Sequence, residues 1–379
     1  MLGLLLYAST YSTEETKCSK NKYEPHKLKP VKLYTVDLDV SPKNRWTAIV
    51  KEYKNGIKEL FNSITEMVEL IPFGRYLVEL FNIEAPRLLS TFPLEYAEEL
   101  EGIADATGLA IGEVIAYNIF YDLFSICTSI VAQTSTGEQI HGRNLDFGAF
   151  LGWDLKNHTW KVSEILRKIV INVDFIKNGS VLYRETTFAG YIGVLTAVKR
   201  NSFGISINTR FSINNGILGI LEYYFLHKTD QAWATWQSRD IMEKNTSYAQ
   251  AVSILSKQDM ISPVYFILSG VGRNEGTVIT RSRSKSLKPQ VLNEDADVWY
   301  LLQTNYDWWD SPPFFDNRRT PGEHCMNEST PATISKSKVF DVLSTDPVLN
   351  QLTVYTTLIN PQTGELESYI RRCATCSTW

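Results

Sequence analysis

Apolar residues along this chain change their period near residue 125. Between about Ile57 and Phe124 the pattern is helical. Ile57, Leu60, Phe61, Ile64, Met67, Val68 and Ile71 recur three and four apart, which puts them on one face of a helix that Pro72 ends. Further helical stretches are predicted near Tyr76–Phe81, Pro93–Thr107 and Ile111–Phe124, and Lys32–Val40 alternates like a strand. After Cys127 the period becomes two. Cys127–Gln133 reads as a strand, Thr134–Gly137 as a turn and Glu138–Phe147 as the returning strand of a hairpin.

More strands are predicted at Lys168–Phe175, Val181–Thr187, Tyr191–Ala197, Phe203–Ile207, Val264–Leu268, Gly276–Thr280, Trp299–Thr304, Leu352–Ile359 and Leu366–Ile370. Helices fall near Leu218–Leu226, Ala232–Met242 and Tyr248–Ser256. Strands interrupted by helices predict a layered α+β domain, with two sheets packed between helices. No internal repeat or low-complexity tract breaks the pattern.

Composition narrows the function. The chain of 379 residues is long enough for a sizeable core in one large domain or two smaller ones. A net charge of -4 argues against nucleic acid as a partner. No apolar run reaches bilayer-spanning length. Residues 1–16 open with Met-Leu-Gly-Leu-Leu-Leu-Tyr, which fits a signal-peptide remnant or a flexible start equally well. Sequons at Asn157, Asn178, Asn245 and Asn327 offer sites for glycosylation and support passage through a secretory route.

The five cysteines leave one thiol over in an oxidising compartment. Cys373 and Cys376, at the extreme C-terminus, suit a small disulfide loop. Cys18 and Cys325 lie in polar segments, as surface cysteines that pair would. Cys127 sits instead in Ile126-Cys127-Thr128-Ser129-Ile130-Val131, where its residues alone favour a buried structural cysteine. No second Cys or His pair has zinc-ligand spacing, so no metal or other cofactor is expected.

An amide hydrolase needs a nucleophile, a base and donors for an oxyanion. The predicted hairpin returns Arg143 and Asp146, within His141-Gly142-Arg143-Asn144-Leu145-Asp146-Phe147, to the side of Cys127. If the chain is cut before Cys127, the freed α-amine, with a reference pKa of about 7.7–8.0, becomes a base beside the thiol. Asp146 then suits holding that amine and Arg143 suits favouring the thiolate. Taken singly, the two residues read as a solvated ion pair.

As a set, these residues resemble the acid ceramidase family of N-terminal nucleophile hydrolases. The resemblance rests on Cys127–Ala132 and His141–Phe147 and continues through Phe188–Tyr191, Phe211–Asn214, Leu218–Glu222, Gln303–Asp307, Arg318–Pro321 and Leu352–Thr357. It includes Asn118–Tyr121 and spans nearly the whole chain. It implies an αββα sandwich and a precursor that cuts itself between Ile126 and Cys127, giving a helical α subunit (17–126) and a catalytic β subunit (127–379). By the same resemblance Cys127 is the nucleophile, flanked by Arg143 and Asp146, with Asn305 as an oxyanion donor and Arg318 supporting the site. It also implies a Cys18–Cys325 disulfide tethering the subunits and a Cys373–Cys376 disulfide. The implied reaction is lysosomal hydrolysis of ceramide to sphingosine and a fatty acid, with membrane contact and a lipid activator protein as partners beyond the substrate.

One position departs from the family. Asn208-Thr209-Arg210 stands where ceramidases read Asn-Glu-Arg, which puts pH dependence and headgroup preference in doubt. The related amidase of fatty-acid ethanolamides shares the nucleophile motifs and is the alternative reading. Gly148–Leu166 resembles a ceramidase insertion that this amidase lacks. A lipid-binding protein without catalysis is a third reading, and a thiol beside Arg and Asp argues against it.

Overall fold

The alternating second half folds into two facing sheets. A computed structural model describes residues 16–69, 74–119, 125–147, 153–154, 159–211, 219, 222–223, 228–244 and 246–377. Among them the first sheet is antiparallel throughout, in the order Lys29–Pro30, Glu365–Ile370, Thr353–Asn360, Gln139–Phe147, Ser125–Gln133, Tyr300–Gln303. The second runs Ser286–Val291, Gly276–Arg281, Val264–Gly270, Phe203–Thr209, Thr196–Lys199, Ser180–Phe188, Val170–Lys177, Leu33–Asp37. Its last pair alone is parallel.

Short helices at Arg319–Met326 and Lys336–Val342 pack outside the first sheet. Those at Ala234–Glu243 and Tyr248–Lys257 pack outside the second. The result is the αββα sandwich implied by the resemblance. Cys127, Leu145 and Tyr355 share one apolar cluster with Ile205 and Phe266 of the second sheet. Strands buried on both faces explain why the burial of Gln139–Phe147 is continuous rather than alternating.

The N-terminal segment is woven into this sandwich. Besides the helices Thr47–Glu69, Gly74–Leu89, Leu94–Thr107 and Ile111–Ile119, it supplies an edge strand to each sheet. Ile57 and Leu60 are buried, as the helical period predicts. Gly108, at φ +66°, ends its helix in the left-handed region that glycine enters without a Cβ penalty. Glu99 is fully buried in the seam, taking both Arg239 Nη atoms at 2.6 and 2.7 Å, Arg45 Nη1 at 2.8 Å and the Trp46 indole at 2.9 Å. A charge so buried is tolerable because it is paired and hydrogen-bonded on every side.

Some expectations are corrected. Lys161–Ile169 is a helix, so the strand expected from Lys168 starts only at Val170. Val162, Ile165, Leu166 and Ile169 form its buried face. Tyr191–Leu195 is a buried loop, and its strand begins at Thr196. Its apolar run imitates a strand because its polar backbone groups find side chains elsewhere. Ile192 N donates to Asn118 Oδ1 at 2.8 Å, and Asn118 Nδ2 donates to Gly190 O at 3.1 Å. The helix expected at Leu218–Leu226 falls mostly outside the described residues.

Both expected disulfides form, Cys18–Cys325 and Cys373–Cys376, and Cys127 lies outside them. Contrary to expectation, Cys325 is buried, packed with Ile130 and Leu302 beneath the first sheet. Asn178 is exposed at a hairpin tip and Asn327 at a helix C-terminus. Asn157 and Asn245 lie outside the described residues. Among the described residues no helix is long and apolar enough to cross a membrane.

Candidate active site

The hairpin register decides which side chains meet. Cys127 pairs with Leu145 and Ser129 with Arg143. Residues two apart share a face, so Cys127, Ser129 and Arg143 point the same way, toward the second sheet. Arg143 Nη2 donates to Cys127 Sγ at 2.7 Å and to Ile207 O at 3.1 Å. Its Nη1 donates to Thr196 Oγ1 at 2.5 Å and Leu195 O at 3.1 Å. A fully buried guanidinium is thus aimed at the sulfur by acceptors on the opposite sheet.

Asp146 is three residues from Arg143 and lies opposite Ile126, on the other face of the hairpin. Its Oδ2 accepts from Arg318 Nη1 and Asn350 Nδ2, each at 3.2 Å. Among the described residues the buried Oδ1 meets no hydrogen-bond donor in good geometry. Burial raises the Asp146 pKa, and Arg318, Thr353 and Asn350 pull against it.

Asn305 connects the two faces. Gln303 pairs with Ser129, so two residues later Asn305 comes level with Cys127. Its Oδ1 accepts from Cys127 N at 2.7 Å and from Arg318 Nη2 at 2.8 Å. Its Nδ2 donates to Thr209 O at 2.7 Å. The residue that departs from the family therefore meets the site through its carbonyl, whatever its side chain. Arg318 is the hub beneath. It forks onto Asp316 with two bonds of 2.7 Å and also reaches Thr128 Oγ1 at 3.2 Å. Despite burial its pKa is raised, chiefly by Asp316 and Asp146, so it stays charged.

All five residues singled out in the sequence converge here: Cys127, Arg143, Asp146, Asn305 and Arg318. Ile126 immediately precedes the thiol in one continuous strand and packs against Leu352, Trp160 and Phe211. Sequence reasoning missed Asp316, Asn350 and Thr128. Asp316 had a signal, standing two residues before Arg318. Asn350 lies in a loop far along the chain and had none. Among the described residues, the grouping with metal-ligand atoms in mutual reach is Cys18, His324 and Glu328, and its sulfur is committed to Cys325.

Behind Arg143 lies Glu185, fully buried, its Oε1 accepting from Leu195 N at 3.4 Å. Burial raises its pKa well above the carboxylate range. A raised folded-state pKa gives stability that is fully present below the unfolded value and lost as pH rises through the folded one. The melting-temperature advantage of the wild type over Glu185→Gln is therefore expected to shrink between pH 4 and pH 7. An advantage that grows over that range would contradict this reading of Glu185.

Comparisons with known proteins agree with this architecture. Residues 127–371 match the model of linear amide C–N hydrolases, choloylglycine hydrolase family, beginning at Cys127 itself. Residues 29–92 match the beta subunit of N-acylethanolamine-hydrolyzing acid amidase. Acid ceramidase of Pan troglodytes is 44% identical over 96% of this chain and 92% of its own, and that of Homo sapiens 43% over the same shares. The solved Caenorhabditis elegans ortholog of N-acylethanolamine-hydrolyzing acid amidase is 35% identical, with a TM-score of 0.55 over 65% of this chain and 100% of its own. With 43–44% identity to acid ceramidases over 96% of its length and an amide-hydrolase match that starts at Cys127, the cysteine outside the disulfides, this chain belongs to the acid ceramidase family of linear amide C–N hydrolases.

Proposed function

We propose that the chain cuts itself between Ile126 and Cys127 and then hydrolyses the amide bond of ceramide, releasing sphingosine and a fatty acid in the lysosome. The supporting observation is the Cys127 contact pair: Arg143 on the sulfur and Asn305 on the backbone nitrogen that would become the α-amine. In the first stage Sγ attacks the Ile126 carbonyl carbon. The C–N bond breaks, the nitrogen takes a proton, and water hydrolyses the resulting thioester to leave the Ile126 carboxylate and the Cys127 thiol.

Departure of Ile126 vacates its place against Leu352, Trp160 and Phe211, which puts apolar surface beside the nucleophile for an acyl chain. In the second stage Sγ attacks the ceramide carbonyl, and Arg143 stabilises charge on the sulfur. Asn305 Nδ2 suits the oxyanion, and the α-ammonium protonates the departing sphingosine nitrogen. The buried Asp146 Oδ1 is an acceptor suited to that ammonium. Water then releases the fatty acid and restores the thiol. Fatty-acid ethanolamides are the second candidate substrate, favoured by the solved amidase neighbour and the match at 29–92. Hydrolysis of both amides at acidic pH, compared by kcat/KM, separates them. Ceramide is expected to be preferred, and an ethanolamide preference would overturn the assignment. The lipid substrate also makes membrane contact and a lipid activator protein the expected partners.

A further inference from the structure

A chain of polar side chains runs between the two sheets beside Arg143. It joins His141, Ser206, Ser129 and Asn208, all buried. His141 Nε2 lies 2.8 Å from Ser206 Oγ and Nδ1 lies 3.0 Å from Ser269 Oγ. Ser206 Oγ lies 2.9 Å from Ser129 Oγ, which lies 2.9 Å from Asn208 Oδ1. Asn208 Nδ2 reaches Gln303 O at 2.9 Å and Thr304 O at 3.2 Å.

Chemistry gives this chain one direction. Two carbonyls accept from the Asn208 amide nitrogen, so its Oδ1 must accept, and Ser129 must donate to it. A hydroxyl has one proton, so Ser129 accepts from Ser206, and Ser206 accepts from His141 Nε2. The His141 ring then carries its proton on Nε2 and takes one at Nδ1 from Ser269. Burial and the Arg143 charge lower the His141 pKa to about 3, which keeps the ring neutral. Every donor and acceptor has a use.

The chain ends against the site. Gln303 and Thr304 immediately precede Asn305, whose Oδ1 meets Cys127 N. Asn208 lies between Ile207, whose carbonyl takes Arg143, and Thr209, whose carbonyl takes Asn305. Ser129 is two residues from the nucleophile on its own strand. We propose that Asn208 is a positioning residue for amide hydrolysis, fixing Asn305 and Arg143 relative to Cys127 and itself oriented by the one-way chain from His141. This rests on the nucleophile role of Cys127.

Asn208→Asp tests it, because an acid of the same size has at most one proton to donate where the Asn208 amide nitrogen gives two, to the Gln303 and Thr304 carbonyls. The expected result is a fall in kcat on the order of 10²-fold with KM within about threefold, since misplacement by about an ångström has that cost. Ser129→Ala should produce a smaller fall of the same kind and Ser129→Thr, which restores the hydroxyl, should recover it. Equal kcat in Asn208→Asp and wild type would overturn the proposal, as would a rise in KM that accounts for the whole loss. Should Asn208→Asp fail to fold, the Ser129 pair decides alone: Ser129→Ala with wild-type kcat, or no recovery by Ser129→Thr, overturns it. A readout free of catalysis uses nitrogen-15 NMR of the histidine rings in wild type. Protonation at Nε2 of the resonance lost in His141→Gln supports the chain, and protonation at Nδ1 overturns it even if Cys127 is the nucleophile.

Discussion

Cys127→Ala is expected to run as one uncut chain on a denaturing, reducing gel and to lose hydrolysis by about 10⁴-fold or more. Both effects follow from one atom. Without Sγ nothing attacks the Ile126 carbonyl, so no α-amine is freed. In the second stage, too, Arg143 and Asn305 then have no thiol nucleophile to serve, and no amine is present to protonate the leaving nitrogen. The wild type should give two bands under reduction and one without it, because Cys18 and Cys325 join the pieces across the cut. Alanine is smaller than cysteine and leaves the Arg143 guanidinium its carbonyl and threonine acceptors, so a folded variant is expected. Two bands from Cys127→Ala would end the self-cleavage reading.

Arg318→Met is expected to cost about 3–5 kcal/mol of stability and to lower activity at least tenfold. The side chain holds two buried carboxylates, Asp146 and Asp316, together with Asn305 and Thr128. Methionine fills much of the volume and neutralises neither acid. Asp146, whose pKa burial already raises, then loses the charge that pulled against that rise, and its pKa goes higher still. The sign is fixed by linkage: groups with raised folded-state pKa values stabilise at low pH and cost stability as pH rises. The melting-temperature deficit of Arg318→Met should therefore be larger at pH 7 than at pH 4.5. A deficit that grows toward acid would show that Arg318 does not hold the Asp146 pKa down.

How much of this was legible in the sequence follows from which forces act locally. The hairpin around Cys127 and Arg143 could be read because its alternation and its Thr134–Gly137 turn are local. The same alternation separates Arg143 from Asp146, three residues on, and places them on opposite faces of the hairpin. Asp146 joins the site from below through Arg318, a long-range contact that no local pattern carries. The Tyr191–Leu195 loop was misread because its backbone is satisfied by Asn118, more than seventy residues away. The positioning chain was hidden for the same reason. His141 opens the His141–Phe147 motif, but nothing in that motif points to its partners Ser206 and Ser269, which come from two other strands. Asn208 attracted attention only for its neighbour Thr209, whose side chain has no part in the Asn305 contact.

The most direct test of the central claim is the mass of the C-terminal chain caught during turnover. Wild-type protein is mixed briefly with ceramide in detergent micelles at acidic pH, quenched in acid, reduced and mapped by mass spectrometry. The account predicts a chain whose first residue is Cys127, heavier by one fatty-acyl group, with the added mass on the Cys127 peptide and removed by hydroxylamine. An acyl group on any other residue, a chain starting elsewhere, or full turnover by uncut protein would contradict it.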